Sequence, residues 1–145
     1  MSEILEKIPV EDKWAMSSGQ GVATGLMAQL GAVVGGEKLE EILAGMWGGA
    51  GKQIHPLIKE KYNIPVEDAA GAANLSLVVG GVIIGAEYES EIVEATPERA
   101  VRRTTKCPWT ERYKEYNIDP EFRICTTPCA KFVEEGFKAV NPKLT

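Results

Sequence analysis

All three cysteines of this 145-residue chain lie in one stretch, Lys106–Cys129, KCPWTERYKEYNIDPEFRICTTPC. Cys107 precedes a proline and Cys129 follows one. Proline suits the first position of a helix, so each of these cysteines is expected at a helix start. A thiol there meets unpaired backbone N–H groups and the positive end of the helix dipole, and both favour the thiolate. Three chemistries follow from the spacing. Cys107, Cys125 and Cys129 could bind a metal: three sulfurs plus one more ligand satisfy tetrahedral zinc, and three alone can hold a 4Fe–4S cluster with one open iron. Cys107, at a strand-to-helix junction, could instead be a nucleophile, with backbone N–H groups ready for an oxyanion. His55, Glu87, Glu89 and Glu91 are candidate bases by residue type alone. In the third chemistry Cys125 and Cys129 form a disulfide, with Cys107 as attacker or resolver. The plainer reading of scattered cysteines is small, buried, apolar side chains.

His55 is the only histidine and stands directly before Pro56. It is a candidate metal ligand or general base; a lone histidine is more commonly half-exposed or bonded to backbone. Lysine and arginine cluster between Arg99 and Lys114, beside Cys107. That patch suits a small anion or carboxylate, although exposed charges usually do no more than face solvent. The net charge of −5 argues against nucleic acid as a partner. An odd cysteine count and a charged N-terminus, MSEILEKIPVEDK, point to the cytoplasm. The uncharged run Ala69–Ala86 contains glycines, Asn74 and Ser76 and has acidic flanks, so it reads as a buried element and not a membrane span.

The elements that would position these groups can be read in order. Residues 1–13 form a polar arm. Residues 14–86 are mainly helical, beginning with a mostly buried helix to Val34 marked by Met16, Gln20, Ala23, Met27, Leu30 and Val34, and ended by Gly35-Gly36. Leu39, Ile42, Leu43, Met46, Ala50, Ile54, Leu57 and Ile58 trace the stripe of a second helix. Gly48-Gly49 and Pro56 predict a kink near residue 52 or a break in it. Pro65, Glu67 and Asp68 are expected to open a third helix, running to about Gly80 with Gly80-Gly81 as a break; strand is the other reading for residues 77–86. Residues 87–106 read as a β-hairpin turning at Thr96-Pro97-Glu98-Arg99, its returning strand wet on one face. Residues 107–145 hold the cysteine-bearing helices: a short one with Trp109, Tyr113 and Tyr116 on its apolar side, and a last one capped by Thr127, with Phe132, Val133, Phe137 and Val140 facing the core.

The pieces IVEATPERAVRRTTKCPW, RICTTPC and FVEEGFKAVNPKLT resemble the L-2-amino-thiazoline-4-carboxylic acid hydrolase family, over roughly residues 37–145. The resemblance implies a small α+β ligand-binding layout and hydrolytic opening of a cyclic amidine to a carbamoyl-cysteine. Cys107 belongs to the shared pattern. Members of that family continue past the Asn-Pro step into a last strand with a further cysteine. The present sequence stops at Thr145 without them, which implies a shortened sheet with an edge open to a second copy, and Cys129 standing in as a third ligand.

The expected architecture is a single α+β domain over 1–145, with helices packed on a small antiparallel β-hairpin and the cysteine-bearing helices at its end. The leading functional reading is a hydrolase-like protein acting on a small anionic cyclic C–N substrate, with Cys107 and His55 as site residues. The alternative is a non-catalytic zinc or iron–sulfur protein using Cys107, Cys125 and Cys129. Glycine-rich apolar helices, Val22–Val34 and Gly71–Gly85, point to a homo-oligomer.

Overall fold

The computed structural model describes residues 7–11, 20–85, 87–115, 117, 125 and 127–144. Among these the order is α1 (Gln20–Val34), α2 (Gly36–Lys61), α3 (Ala69–Ile84), β1 (Glu89–Ala95), β2 (Ala100–Lys106), α4 (Pro108–Glu115) and α5 (Thr127–Val140). The architecture is α+β, helices packed on one two-stranded antiparallel sheet. Most of the N-terminal arm, residues 12–19 with Met16, and Tyr116 lie outside the described residues.

The helix–helix seam that organises the molecule is α2 against α5, the most extensive contact between elements. The buried residues of α2 are Leu39, Leu43, Gly48, Gly51, His55 and Ile58, of which Gly48, Gly51 and His55 lie against α5. That stripe differs from the one traced by the large apolar residues, because Met46 and Leu57 are mostly exposed. The inward face instead carries glycines, which let a second backbone approach closely. A Cβ at Gly51 would stand 2.1 Å from the Phe132 carbonyl oxygen. α2 runs unbroken through Gly48-Gly49 and Pro56, so of the expected kink or break the break does not occur. Packing of this face against α5 outweighs the propensity cost of those residues.

α3 begins one turn later than expected. Pro65 lies before it, and Asp68 is the N-cap, accepting a hydrogen bond from the Gly71 N–H at 2.9 Å. Such a cap stabilises a helix by about 1 kcal/mol. The helix then continues past Gly80-Gly81 to Ile84, so residues 77–84 are helix and neither a break nor a strand. The glycine pair permits close packing here: a Cβ at Gly80 would fall 2.7 Å from the Tyr88 ring and hydroxyl.

The hairpin has the expected strands and turn. Thr96 N–H donates to the Arg99 carbonyl at 2.8 Å, and the Thr96 hydroxyl also bonds the Arg99 backbone. Register runs from Ala95 opposite Ala100 to Glu89 opposite Lys106, with irregularities at Glu89/Ser90 and Ile92/Glu94. The expected wet face of β2 is not what is seen: exposure runs along the strand, with Ala100–Arg102 half-buried and Arg103–Lys106 exposed, because only its first half is covered.

Two apolar clusters form the core. One joins α2, α3 and α5 around Ile58, Leu75, Leu77, Val79 and Phe132; the other joins α2 and α4 around Leu39, Leu43, Trp109 and Tyr113. Trp47 bridges them, edge-on to Trp109 at 6.1 Å and to Phe132 at 5.5 Å. Among the described residues, α1 packs on the second cluster through Ala23, Met27 and Ala28. Its expected burial is a correction: Leu26, Leu30, Val33 and Val34 are exposed, because α1 has one neighbouring face to cover and its stripe is wider than that face. Gly35, at φ +85°, turns the chain from α1 into α2 in a single residue. Among the described residues no helix is long and apolar enough to cross a membrane.

Candidate functional site

His55 is fully buried in the α2–α5 seam. It is neither half-exposed nor at a break. Its ring packs against Phe132 at 4.9 Å and edge-on to Phe137 at 5.5 Å. Gly136 makes room for it, since a Cβ there would lie 2.1 Å from Nδ1. Nδ1 sits 3.1 Å from the Gly51 carbonyl oxygen, which can only accept, so Nδ1 carries the proton. Nε2 is then an unprotonated lone pair, buried and without a hydrogen-bond partner among the described residues. Burial holds the imidazole pKa below its ordinary value, and the Gly51 bond opposes this more weakly. A neutral ring with one open lone pair is an acceptor in search of a proton.

That ring lines a cavity of about 70 Å³ together with Cys107, Cys125 and Cys129. α4 delivers the first thiol: Thr110 N–H donates to the Cys107 carbonyl at 3.0 Å, which sets Cys107 at the head of the helix before Pro108. α5 delivers Cys129 in its first turn, behind the buried Pro128. All three cysteines predicted from two helix starts and the segment between them are thus among the residues lining one cavity. None of the three is in a disulfide.

Two expectations change. Among the described residues no group of three or more His, Cys, Asp and Glu side chains is placed to hold a metal ion. Zinc and iron–sulfur clusters need donors converged to about 2.3 Å from the metal, so Cys107, Cys125 and Cys129 share a cavity without forming a ligand set. The Cys129 thiolate is also not favoured overall. Much of the residue's surface is open, yet enough protein surrounds the thiol that burial pushes its pKa up. The neighbouring Cys107 pushes it further up, and Arg102 pulls it back. A helix start alone does not offset desolvation.

Arg102 is the site residue that sequence reasoning did not single out. It lines the cavity from β2, and its guanidinium donates to the Tyr88 hydroxyl and stacks over that ring at 5.8 Å. The Tyr88 hydroxyl is in turn 3.3 Å from Thr104 Oγ1. Tyr88 is buried against Gly80, so a glycine on α3 indirectly fixes the position of an arginine on β2. Among the described residues no carboxylate lies in ion-pair range of Arg102, whereas Arg99 and Arg103 each have one. The available signal was the basic cluster beside Cys107, within which alternation along β2 separates Arg102 from Arg103. Glu89 and Glu91 are exposed on β1, and Arg103 pairs with Glu91; neither they nor Glu87 are among the cavity's lining residues.

The arrangement is chemically coherent: up to three cysteines, one neutral base with an unpartnered lone pair, and one cation without a carboxylate partner among the described residues. No thiol is within hydrogen-bond range of Nε2, so this is not a preformed Cys–His pair. A reacting atom or a water would have to lie between them. Comparison with protein families, with curated proteins and with solved structures found no match for this chain.

Proposed function

We propose that this chain is a thiol-dependent hydrolase for a small anionic substrate containing a cyclic C–N bond. The observation that carries the reading is that one cavity is lined by Cys107, by His55 with its unpartnered Nε2, and by Arg102, which has no carboxylate partner among the described residues. Arg102 holds the substrate's carboxylate at the cavity wall, where a guanidinium can make paired bonds. The Cys107 thiolate adds to the amidine carbon. The ring nitrogen takes up the proton the thiol gave up, then a second from the exocyclic amino group as the ring C–N bond breaks, and departs as a primary amine. A water then adds to the same carbon; His55 Nε2 accepts one of its protons, and the exocyclic nitrogen takes back the other as the carbonyl forms. Cys107 leaves as thiolate and recovers its proton from His55. The net change is one water added across the ring C–N bond, with the thiol regenerated.

The resemblance of the CPW and RICTTPC segments to the L-2-amino-thiazoline-4-carboxylic acid hydrolases supports the choice of reaction. The metal-binding alternative has no observation in its favour among the described residues. The test is release of a primary amine from L-2-amino-thiazoline-4-carboxylate, followed with an amine-reactive dye. Wild-type protein should release amine, and Cys107→Ser should lose the activity. Absence of amine release by the wild type, or equal release by Cys107→Ser, overturns the reading.

A further inference from the structure

The cavity is too small for its own ligand. About 70 Å³ is roughly half of the ~150 Å³ that accepts a benzene ring, so only the reacting end of a substrate fits inside. The cavity has a larger neighbour, however. Ser76, Arg102 and Val133 line it and also line a second, open groove of about 710 Å³. That volume falls within the roughly 300–1,000 Å³ of ligand pockets. Its wall on α3 is Ala69, Ala72, Ala73 and Ser76, spaced as one helix face. These small side chains set the wall back from Val133 and Phe137 of α5 and leave an apolar floor between them.

Charge is placed at one end of this floor. Of the cations along the groove, Lys138 is bonded to Glu134 and Arg99 is paired with Glu94. Glu134 is itself held by Lys131 and Lys138, and Glu98 lies on the rim. Arg102, which lines both groove and cavity, bonds and stacks on Tyr88 and has no carboxylate partner among the described residues.

We infer that the groove is the binding site for an apolar substituent of the substrate, whose anionic group sits on Arg102 while its reacting end enters the cavity. The ligand class is a carboxylate carrying an extended apolar substituent, of which L-2-amino-thiazoline-4-carboxylate represents the reacting end alone. This rests on the hydrolase reading for the reacting end alone; binding to the groove does not require turnover.

The experiment is calorimetric titration of the full chain with decanoate, with acetate and decanol as partners for comparison. Decanoate should bind at about one per chain and at least tenfold more tightly than either. Arg102→Gln should weaken decanoate at least tenfold and leave decanol unchanged, whereas Arg103→Gln, on the exposed strand face, should change neither. Ala73→Phe should fill the groove and weaken decanoate at least tenfold; Ala69→Phe, near the start of the same helix face, gives the same reading if the first variant does not fold. No binding of decanoate, acetate binding as tightly as decanoate, or unaltered affinity in Arg102→Gln overturns the inference. A protein that binds decanoate in this pattern but opens no thiazoline ring keeps the groove and loses the hydrolase. One that opens the ring but binds no decanoate does the reverse.

Discussion

The two sides of α5 show opposite solutions to packing. Toward α2 the contact is closed: Phe132 meets Gly51 backbone to backbone, and Gly136 accepts the flat of His55. Toward α3 and β2 the same helix presents Val133 and Phe137 to an open groove walled by alanines. Small residues occur on both sides with different consequences. In the seam their missing atoms are replaced by another backbone; along the groove nothing fills the space. His55 belongs to both, with Nδ1 tied to the closed side and the residue itself part of the cavity's lining. The closed side supplies rigidity, and the open side supplies room for chemistry.

The sharpest way to break this contrast is to add one methyl group in the seam. Gly51→Ala places it 2.1 Å from the Phe132 carbonyl oxygen, where neither backbone can yield without moving its helix. We expect a loss of about 3 kcal/mol or more in denaturant unfolding, at the upper end of overpacking. A loss below about 1 kcal/mol would mean the seam is looser than described. On the open side the expected effect is on rate. His55→Gln keeps a polar side chain but removes the base, and amine release should fall about 100-fold while the fold persists. Equal rates would leave His55 as a packing residue only.

The third prediction concerns pH. The imidazole of His55 is held neutral in the fold, so the unfolded chain binds the extra proton first as pH falls below the ordinary 6.5. Its contribution to stability is complete above that value and declines as pH drops toward the depressed folded pKa. The slope in this window is at most about 1.4 kcal/mol per pH unit, one proton's worth. Thermal melts between pH 7.5 and 5 should show it, and His55→Phe should flatten it. Glu134, whose pKa the Lys131 and Lys138 bonds hold down at about 2, acts lower. Its stabilisation is present above the ordinary carboxylate range and fades as pH falls toward 2, and Lys131→Gln should diminish it.

The smallest effect belongs to a glycine that contacts nothing. Gly45 lies in the same helix as Gly51, yet a Cβ there meets no atom within 4 Å. Gly45→Ala should stabilise by about 0.5–1 kcal/mol, the ordinary helix gain. Opposite signs at Gly45 and Gly51 in the same unfolding assay would confirm that contact, and not glycine content, governs α2.

The hairpin was legible in the sequence because its turn, Thr96-Pro97-Glu98-Arg99, and its alternation are local signals. The two helix starts at Pro108 and Pro128 were legible for the same reason. The face of α2 was not, because hydrophobic periodicity weighs Met46 and Leu57 and gives Gly48 and Gly51 no weight. The depth of His55 was missed because Pro56 suggests a break, whereas a packed partner helix keeps the turn intact. The raised thiol pKa of Cys129 depends on what surrounds it in space, which spacing along the chain does not encode. Arg102 was visible only as one member of a basic run. Its distinction comes from Tyr88, which is far from it along the chain and held in place by Gly80.

The central claim is that the three thiols surround one ligand space. It is tested most directly by alkylating the protein with iodoacetamide and measuring each cysteine by peptide mass, with and without L-2-amino-thiazoline-4-carboxylate. Protection of Cys107, Cys125 and Cys129 at the same ligand concentration is the predicted result. Unchanged labelling at all three, or protection of one with the other two indifferent, would contradict it.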